Sequence, residues 1–137
     1  MRIGICTLGP NLDSQVSPVF GRAPYFLIVD SEAEKFKAVS NSAFSASQGA
    51  GVGAAQLIVS EGIKAVICGN FGPNAFSVLK MSGIKIYPGI FGLTAREAVN
   101  KYKKGELKEA KIPTAPGHFG FGPGGKRFRR RFRRRGQ

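Results

Sequence analysis

The chain has 137 residues, of which 21 are Lys or Arg, 8 are Asp or Glu and one is His, giving a formal net charge of +13. No apolar run approaches the ~20 residues that cross a bilayer, so the composition excludes a membrane-spanning class. The apolar stretch at the amino terminus is too short for a signal peptide, and two Cys in strand-like runs suit reduced thiols. We therefore expect a cytoplasmic protein.

The positive charge is concentrated at the carboxyl end. Residues 113–137 contain eight Lys or Arg, six Gly, three Pro and no acid, whereas residues 1–112 have a net charge of only +5. The first segment is long enough for a single core, and the second lacks the apolar surface to build one. We predict one α/β domain over 1–112 and a disordered Gly-, Pro- and Arg-rich basic tail over 113–137.

Three strands are predicted in the first 40 residues. Residues 2–8 alternate as a strand does, and the Gly-, Pro- and Ser-containing loop over 9–24 is long for a compact domain. An apolar run over 25–29, a polar turn and a second short run over 36–39 predict an antiparallel hairpin.

Helices and strands alternate in the rest of the domain. The predicted elements are a helix over 47–61 with a Gly-rich start, a strand over 65–68, a helix over 75–81, a strand over 84–87, and a last helix that begins at the capping box Thr94–Glu97 and closes at Gly105. This order predicts a mostly parallel five-stranded sheet with one antiparallel strand and with helices on both faces.

Ligands of open α/β sheets collect at the carboxyl ends of the strands. Three stretches of small or turn-forming residues fall there, over 9–23, 45–51 and 69–74. Exposed amides at helix starts favour anions, and Arg22 is the nearest obvious counter-charge. The sequence therefore predicts a site for a negatively charged ligand.

The sequence lacks the common nucleotide-binding and catalytic motifs. The segment 49–56 reads G-x-G-x-G rather than G-x-G-x-x-G, and no G-x-x-x-x-G-K-[ST] occurs. Residues 1–112 contain no His, so they cannot supply a histidine general base. Asp13 and Asp30 are their only aspartates, which is too few to indicate a two-metal site built from carboxylates. We predict that the protein is not an enzyme.

The two cysteines, Cys6 and Cys68, are expected on neighbouring central strands, close together at the ligand end. With His118 of the tail they are weak candidates for metal ligands. Two thiolates alone make an incomplete iron–sulfur or zinc set, so buried, inert thiols are the favoured interpretation.

Three segments together resemble the dinitrogenase iron–molybdenum cofactor biosynthesis family, which includes NifX-like carriers and the carboxyl-terminal domain of NifB proteins. They are SPVFGRAPYFLIVD at 17–30, GAGVGAAQLIVSEGI at 49–63 and KAVICGNFGPNAFSVLKMSGIKIYPG at 64–89, and the resemblance covers nearly all of 1–110 in order. It implies a three-layer α/β/α domain with a ribonuclease-H-like motif. It also implies binding or carrying of an anionic iron–sulfur or iron–molybdenum–sulfur cluster, with a cluster-donor or cluster-acceptor protein as partner.

The resemblance also marks the loop after the first strand as the family's site. Cofactor-carrying members often have His-Phe-Gly there, and this chain has Val19, Phe20 and Gly21, so the candidate ligand is missing and the loop shape and Arg22 carry over. The same tripeptide at His118 lies outside the matching segments and is not given the role. The residues expected at the cofactor site are Ser17, Phe20, Gly21, Arg22, Gly49, Gly51, Gly69, Gly72 and Asn74.

Three interpretations of the tail stay open. It is a solvated solubilising segment, a polyanion-binding segment for nucleic acid or an anionic lipid surface, or a device that captures an acidic partner or the cluster itself. Arg residues interleaved with Phe combine phosphate attraction with stacking on bases, which supports an alternative function as a nucleic-acid or partner-binding adaptor. The residues expected to bind the polyanion are Lys126, Arg127, Arg129, Arg130, Arg131, Arg133, Arg134 and Arg135.

Overall fold

The computed structural model describes residues 2–30, 35–41 and 50–111. The elements in them are β1 (Arg2–Thr7), a 3-10 turn (Phe20–Arg22), β2 (Tyr25–Asp30), β3 (Lys35–Ser40), α1 (Ala50–Val59), β4 (Ala65–Ile67), α2 (Pro73–Met81), β5 (Lys85–Tyr87) and α3 (Ala95–Lys103). The predicted order of strands and helices is confirmed. Gly49, His118 and the tail from 113 onward lie outside the described residues, and so does the start of the first predicted helix.

The five strands form one sheet in the order β3-β2-β1-β4-β5. Strand β2 is antiparallel to both of its neighbours, while β1 is parallel to β4 and β4 to β5. Four strands therefore share one direction and β2 opposes them, as predicted from the hairpin. The expected pairing of the first and fourth strands is confirmed, and it places Cys6 of β1 near Cys68, the residue after β4.

The central strands β1, β2 and β4 are apolar on both faces, so the sheet has a core on each side. On one face β1, β2, β4 and β5 contribute residues such as Phe26 and Ile86 to a cluster shared with α1 and α2. On the other face residues such as Ile5 and Leu27 pack with Ala98 and Val99 of α3. Helices thus cover both faces of the central strands.

Local signals determine where the helices begin and end. Thr94 caps α3: its Oγ1 accepts from the Glu97 backbone N–H at 3.2 Å, and Oε1 of Glu97 accepts from the Thr94 backbone N–H at 2.8 Å. A glycine follows each of the three described helices: Gly62, Gly83 and Gly105 all have positive φ, a conformation that side-chain-bearing residues rarely adopt.

Several boundaries differ from the sequence prediction by one or two residues, and two of these differences have a clear local cause. Helix α2 begins at Pro73, two residues earlier than predicted, because Pro is suited to the first helical position, where no N–H is needed. Strand β5 begins at Lys85 rather than Ile84, whose N–H bonds to the Leu79 carbonyl and so belongs to the end of α2. Among the described helices, none is long and apolar enough to cross a membrane.

Candidate functional site

The loops that leave β1 and β4 are joined at the carboxyl edge of the sheet. The Ser17 N–H donates to the Cys6 carbonyl at 2.7 Å, and the Gly69 N–H donates to the Ser17 carbonyl at 3.1 Å. The Asn70 N–H donates to the Pro18 carbonyl at 2.8 Å, and Val19 and Asn70 form a parallel bridge. These bonds continue the pairing of β1 with β4 beyond the ends of the strands, so they hold the two loops in a fixed relative position.

A third loop, after β5, is fastened to the same assembly. The Gly89 N–H donates to the Gly69 carbonyl at 2.8 Å, and the Val16 N–H donates to the Leu93 carbonyl at 2.9 Å. The carboxyl edge of the sheet therefore bears a platform of three mutually bonded loops, over 14–20, 68–71 and 88–95. The predicted stretches 9–23 and 69–74 contribute to it, 88–95 was not predicted, and residues 45–49 of the third predicted stretch lie outside the described residues. A rigid platform of this kind loses little conformational entropy when a ligand binds.

Gly69 lies at the centre of this platform and has no room for a side chain. A Cβ at this position would lie 2.6 Å from the Pro18 carbonyl oxygen and 2.6 Å from Cε1 of Phe91. The small residue predicted here therefore allows the backbones of two loops to meet. Its contacts are with the protein itself.

The Phe20 side chain supports the platform from below. It is fully buried, and its ring stacks on Phe26 at 5.5 Å and on Phe71 at 5.3 Å between ring centroids. This places one aromatic residue from each of the 3-10 turn, β2 and the loop after β4 in contact. Phe20 is thus placed to hold the turn that bears Gly21 and Arg22 against the segment that leads into α2.

Ser17 is 1% exposed, and its hydroxyl is used within its own loop. The Oγ–H donates to the Val19 carbonyl at 3.0 Å, and Oγ accepts from the Val19 N–H at 3.4 Å. Gly21 is partly exposed and Arg22 is exposed at the end of the 3-10 turn. Of the predicted residues in this loop, Arg22 is the one that presents a charged side chain to solvent.

The start of α2 is open to solvent. Its N-cap is Gly72, where an added Cβ would meet nothing within 4 Å, and the first turn contains no acidic residue. Asn74 is exposed in that first turn. Gly51, also expected at the cofactor site, lies against α2, since an added Cβ would be 3.4 Å from the Cβ of Ala75. Gly51 therefore brings the start of α1 against the start of α2.

Cys6 and Cys68 are adjacent, free and fully buried beneath the platform. The Cys68 Sγ donates to the Ser17 carbonyl at 3.2 Å. Burial raises the pKa of the Cys6 thiol well above its usual range, and the neighbouring Cys68 adds to the rise by hydrogen bonding. A thiol held in its neutral form is a poor metal ligand. Within the ranges 2–30, 35–41 and 50–111, no three His, Cys, Asp or Glu side chains group to hold a metal ion.

Two exposed apolar side chains at this edge were not predicted from the sequence. Phe91 is 54% exposed and covers Gly69, and Leu8 is 49% exposed directly after β1. In the sequence, Phe91 is a large apolar residue inside a Gly-rich link. This pattern does not show whether the side chain is buried or exposed. Together these side chains make the rim of the platform partly apolar.

Known proteins resemble this chain in both sequence and fold. The family model described as dinitrogenase iron-molybdenum cofactor matches residues 1–105. The apo form of the orange protein from Desulfovibrio gigas is 38% identical with a TM-score of 0.80, over 82% of this chain and 95% of that protein. A Thermotoga protein described as a candidate NifB protein is also 38% identical, with a TM-score of 0.70 over 79% of this chain and 91% of its own.

A further relative is known by its sequence. An uncharacterized protein from Methanocaldococcus jannaschii is 38% identical over 81 residues, which are 57% of this chain and 69% of the relative. The family match spans all five strands and all three helices of the domain. The chain therefore belongs to the dinitrogenase iron–molybdenum cofactor family.

Proposed function

We propose that this protein binds or carries an anionic metal–sulfur cluster, of iron–sulfur or iron–molybdenum–sulfur type, at the platform formed by the loops after β1, β4 and β5. The observation that carries the proposal is the open, acid-free start of α2 beside a loop that presents Arg22. The contact between Phe20 and Phe71 holds these two parts together.

The electrostatics of this edge favour an anion. The first N–H groups of a helix have no partner within the helix and carry partial positive charge, which stabilises a negative group by roughly 0.3–1 kcal/mol at an exposed site. The guanidinium of Arg22 adds a full charge with several N–H donors. Backbone N–H groups near Gly72 and Asn74 and the Arg22 side chain would therefore receive the sulfides or oxyanions of the cargo.

The buried thiols fit a supporting role better than a ligating one. Cys6 is neutral and closed off from solvent, and Cys68 is bonded to the Ser17 carbonyl. We propose that the cargo keeps its own inorganic ligands and is held by charge and hydrogen bonds. In this scheme Cys6 and Cys68 join the loop after β1 to the loop after β4.

Membership of the family supports the proposal, as does the likeness to an orange protein described as an apo form, the term for a protein without its cofactor. Several finer expectations belong to the same proposal. They are a non-enzymatic role, a cytoplasmic location, a cluster-donor or cluster-acceptor partner, and a three-layer domain of ribonuclease-H-like type. Free thiols support the location, and helices on both sheet faces support the layers.

The experiment that tests this function is metal and acid-labile sulfide analysis of the full chain purified without oxygen, together with its visible absorption spectrum. We expect bound metal and sulfide in fixed ratio to the protein and absorption above ~400 nm from sulfide-to-metal charge transfer. A colourless protein that takes up no cluster after incubation with iron, sulfide and molybdate would contradict the proposal.

A further inference from the structure

The amino-terminal edge of the sheet, opposite the platform, contains a repeated connection. Helix α1 passes through Gly62, Ile63 and Lys64 into β4, and α2 passes through Gly83, Ile84 and Lys85 into β5. Both glycines have positive φ, at 71° and 78°, and both isoleucines are buried. The same local geometry therefore delivers an exposed lysine to the start of each of two neighbouring parallel strands.

Backbone hydrogen bonds extend this arrangement to a third strand. The Lys64 N–H donates to the Arg2 carbonyl at 2.8 Å, and the Lys85 N–H donates to the Lys64 carbonyl at 3.0 Å. Because adjacent strands are ~4.8 Å apart, three cationic residues follow one another across ~10 Å of the sheet edge. With Gly62 and Gly83 they line an open depression of about 620 Å³.

Among the described residues, the carboxylates near this cluster lie at its Arg2 end, where Asp30 of β2 pairs in register with Arg2. Glu61 lies beside the cluster, but its carboxylate is 2.8 Å from Lys37 Nζ and 4.0 Å from Arg2, and its side chain is only 18% exposed. Lys64 and Lys85 have no carboxylate of the described residues within 4.0 Å. We call Arg2, Lys37, Lys64 and Lys85 the basic edge; with Glu61 and Asp30 included, its net charge is +2.

The charges of the chain and the residues that line the depression indicate which kind of partner the basic edge can bind. The chain's own tail carries eight Lys or Arg and no acid, and a second copy would bring another positively charged chain, so both are repelled. No aromatic side chain lines the depression, which removes the stacking that single-stranded nucleic acid uses. The ammonium groups of lysines are compact point charges that form ion pairs with Asp and Glu carboxylates.

We propose that the basic edge docks an acidic segment of a partner protein. A partner held there leaves the platform at the opposite edge of the sheet uncovered. This inference goes beyond the proposed cluster function and does not depend on it, since its test involves no metal.

The test measures binding of a fluorescein-labelled 20-residue polyglutamate peptide to the full chain by fluorescence anisotropy at an ionic strength of ~0.1 M, where charges are screened beyond ~10 Å. Lys64→Glu together with Lys85→Glu should weaken binding about tenfold, because two attractive charges become repulsive. The control, Lys104→Glu with Lys108→Glu, makes the same change in net charge at exposed lysines that do not line the depression. It should weaken binding by no more than about twofold, and the tail is present in every protein compared.

A neutral pair, Lys64→Gln with Lys85→Gln, should give an intermediate loss, with circular dichroism confirming that all variants fold. Equal losses in the two charge-reversed pairs would overturn the proposal. It would also be overturned if Lys64→Glu with Lys85→Glu weakened binding of a 20-nucleotide oligothymidylate as much as that of polyglutamate, since the edge would then recognise any polyanion.

Discussion

Cys68 donates its thiol hydrogen to the backbone carbonyl of Ser17 across 3.2 Å, and this bond joins the residue after β4 to the loop that follows β1. The Ser17 N–H bonds in turn to the carbonyl of Cys6, the other buried thiol. The two cysteines therefore lie at the junction between the core and the loops of the candidate site. Their shared function, as we interpret it, is to position the loop that presents Arg22.

The free energy of unfolding should fall at alkaline pH because the Cys6 thiol is buried. Its pKa is raised in the folded protein by burial and then by Cys68, so the stabilising contribution is complete below the thiol pKa of the unfolded chain. It is lost as pH rises from about 8.5 upward, at up to ~1.4 kcal/mol per pH unit. Urea unfolding under reducing conditions between pH 7 and 9.5 should show this loss, and Cys6→Ala should show a flatter decline. If the free energies of unfolding of the two proteins fell equally with pH, the buried Cys6 thiol would not be the cause of the decline.

Two glycines predicted at the site should respond differently to alanine. Gly69→Ala places a Cβ against a backbone oxygen of Pro18, and overpacking of this kind costs typically ~1–3 kcal/mol. Gly72→Ala is the matched control, because its φ is −74° and nothing lies within 4 Å, so we expect a loss below about 1 kcal/mol. The free energies of unfolding in urea compare them directly, and equal costs would be inconsistent with the platform geometry.

Truncation of Phe20 should chiefly lower the stability of the folded protein. Phe20→Ala removes a ring that stacks on two others in the core, and such truncations cost roughly 3–5 kcal/mol. Phe91→Ala removes the same ring where it is 54% exposed, and we expect a loss of less than about 1 kcal/mol. Thermal unfolding of the two variants checks this. A stable Phe20→Ala protein would mean that the ring does not support the turn.

Asn74→Asp should separate helix stability from anion binding. A carboxylate in the first turn of α2 stabilises the helix by roughly 0.3–1 kcal/mol, yet it repels an anionic cargo at the same place. We expect a slightly higher midpoint of unfolding and a several-fold lower affinity for an anionic metal sulfide. Asn100→Asp, an exposed position within α3, makes the same chemical change away from the site. If both variants bound the anion equally well, α2 would not belong to the site.

Local signals made most of the fold predictable. Thr94 and Glu97 form a capping box that is complete within four residues, and Gly62 and Gly83 end their helices by a backbone preference of glycine itself. The short polar turn before residue 35 likewise indicated the hairpin. The neighbouring positions of β1 and β4 followed from the rules of parallel sheets.

The site was harder to predict because its geometry depends on partners distant in sequence. Gly69 was expected to line the cofactor site, but nothing local identifies Pro18 and Phe91 as the groups that lie against it. At Gly51 the neighbour is Ala75 of α2. Phe20 was predicted at the site from the family pattern, and its burial between Phe26 and Phe71 depends on the packing of three separate segments.

The most direct test of cluster binding is isothermal titration of the full chain with tetrathiomolybdate, a soluble anionic metal sulfide, in the absence of oxygen. We predict saturable binding that weakens with salt and falls roughly fivefold in Arg22→Gln, because an exposed guanidinium at the platform is lost. Arg2→Gln, the same change at the opposite edge of the sheet, should stay within about twofold of the unchanged protein. Absence of saturable binding, or equal losses in the two variants, would contradict a cargo site at the platform.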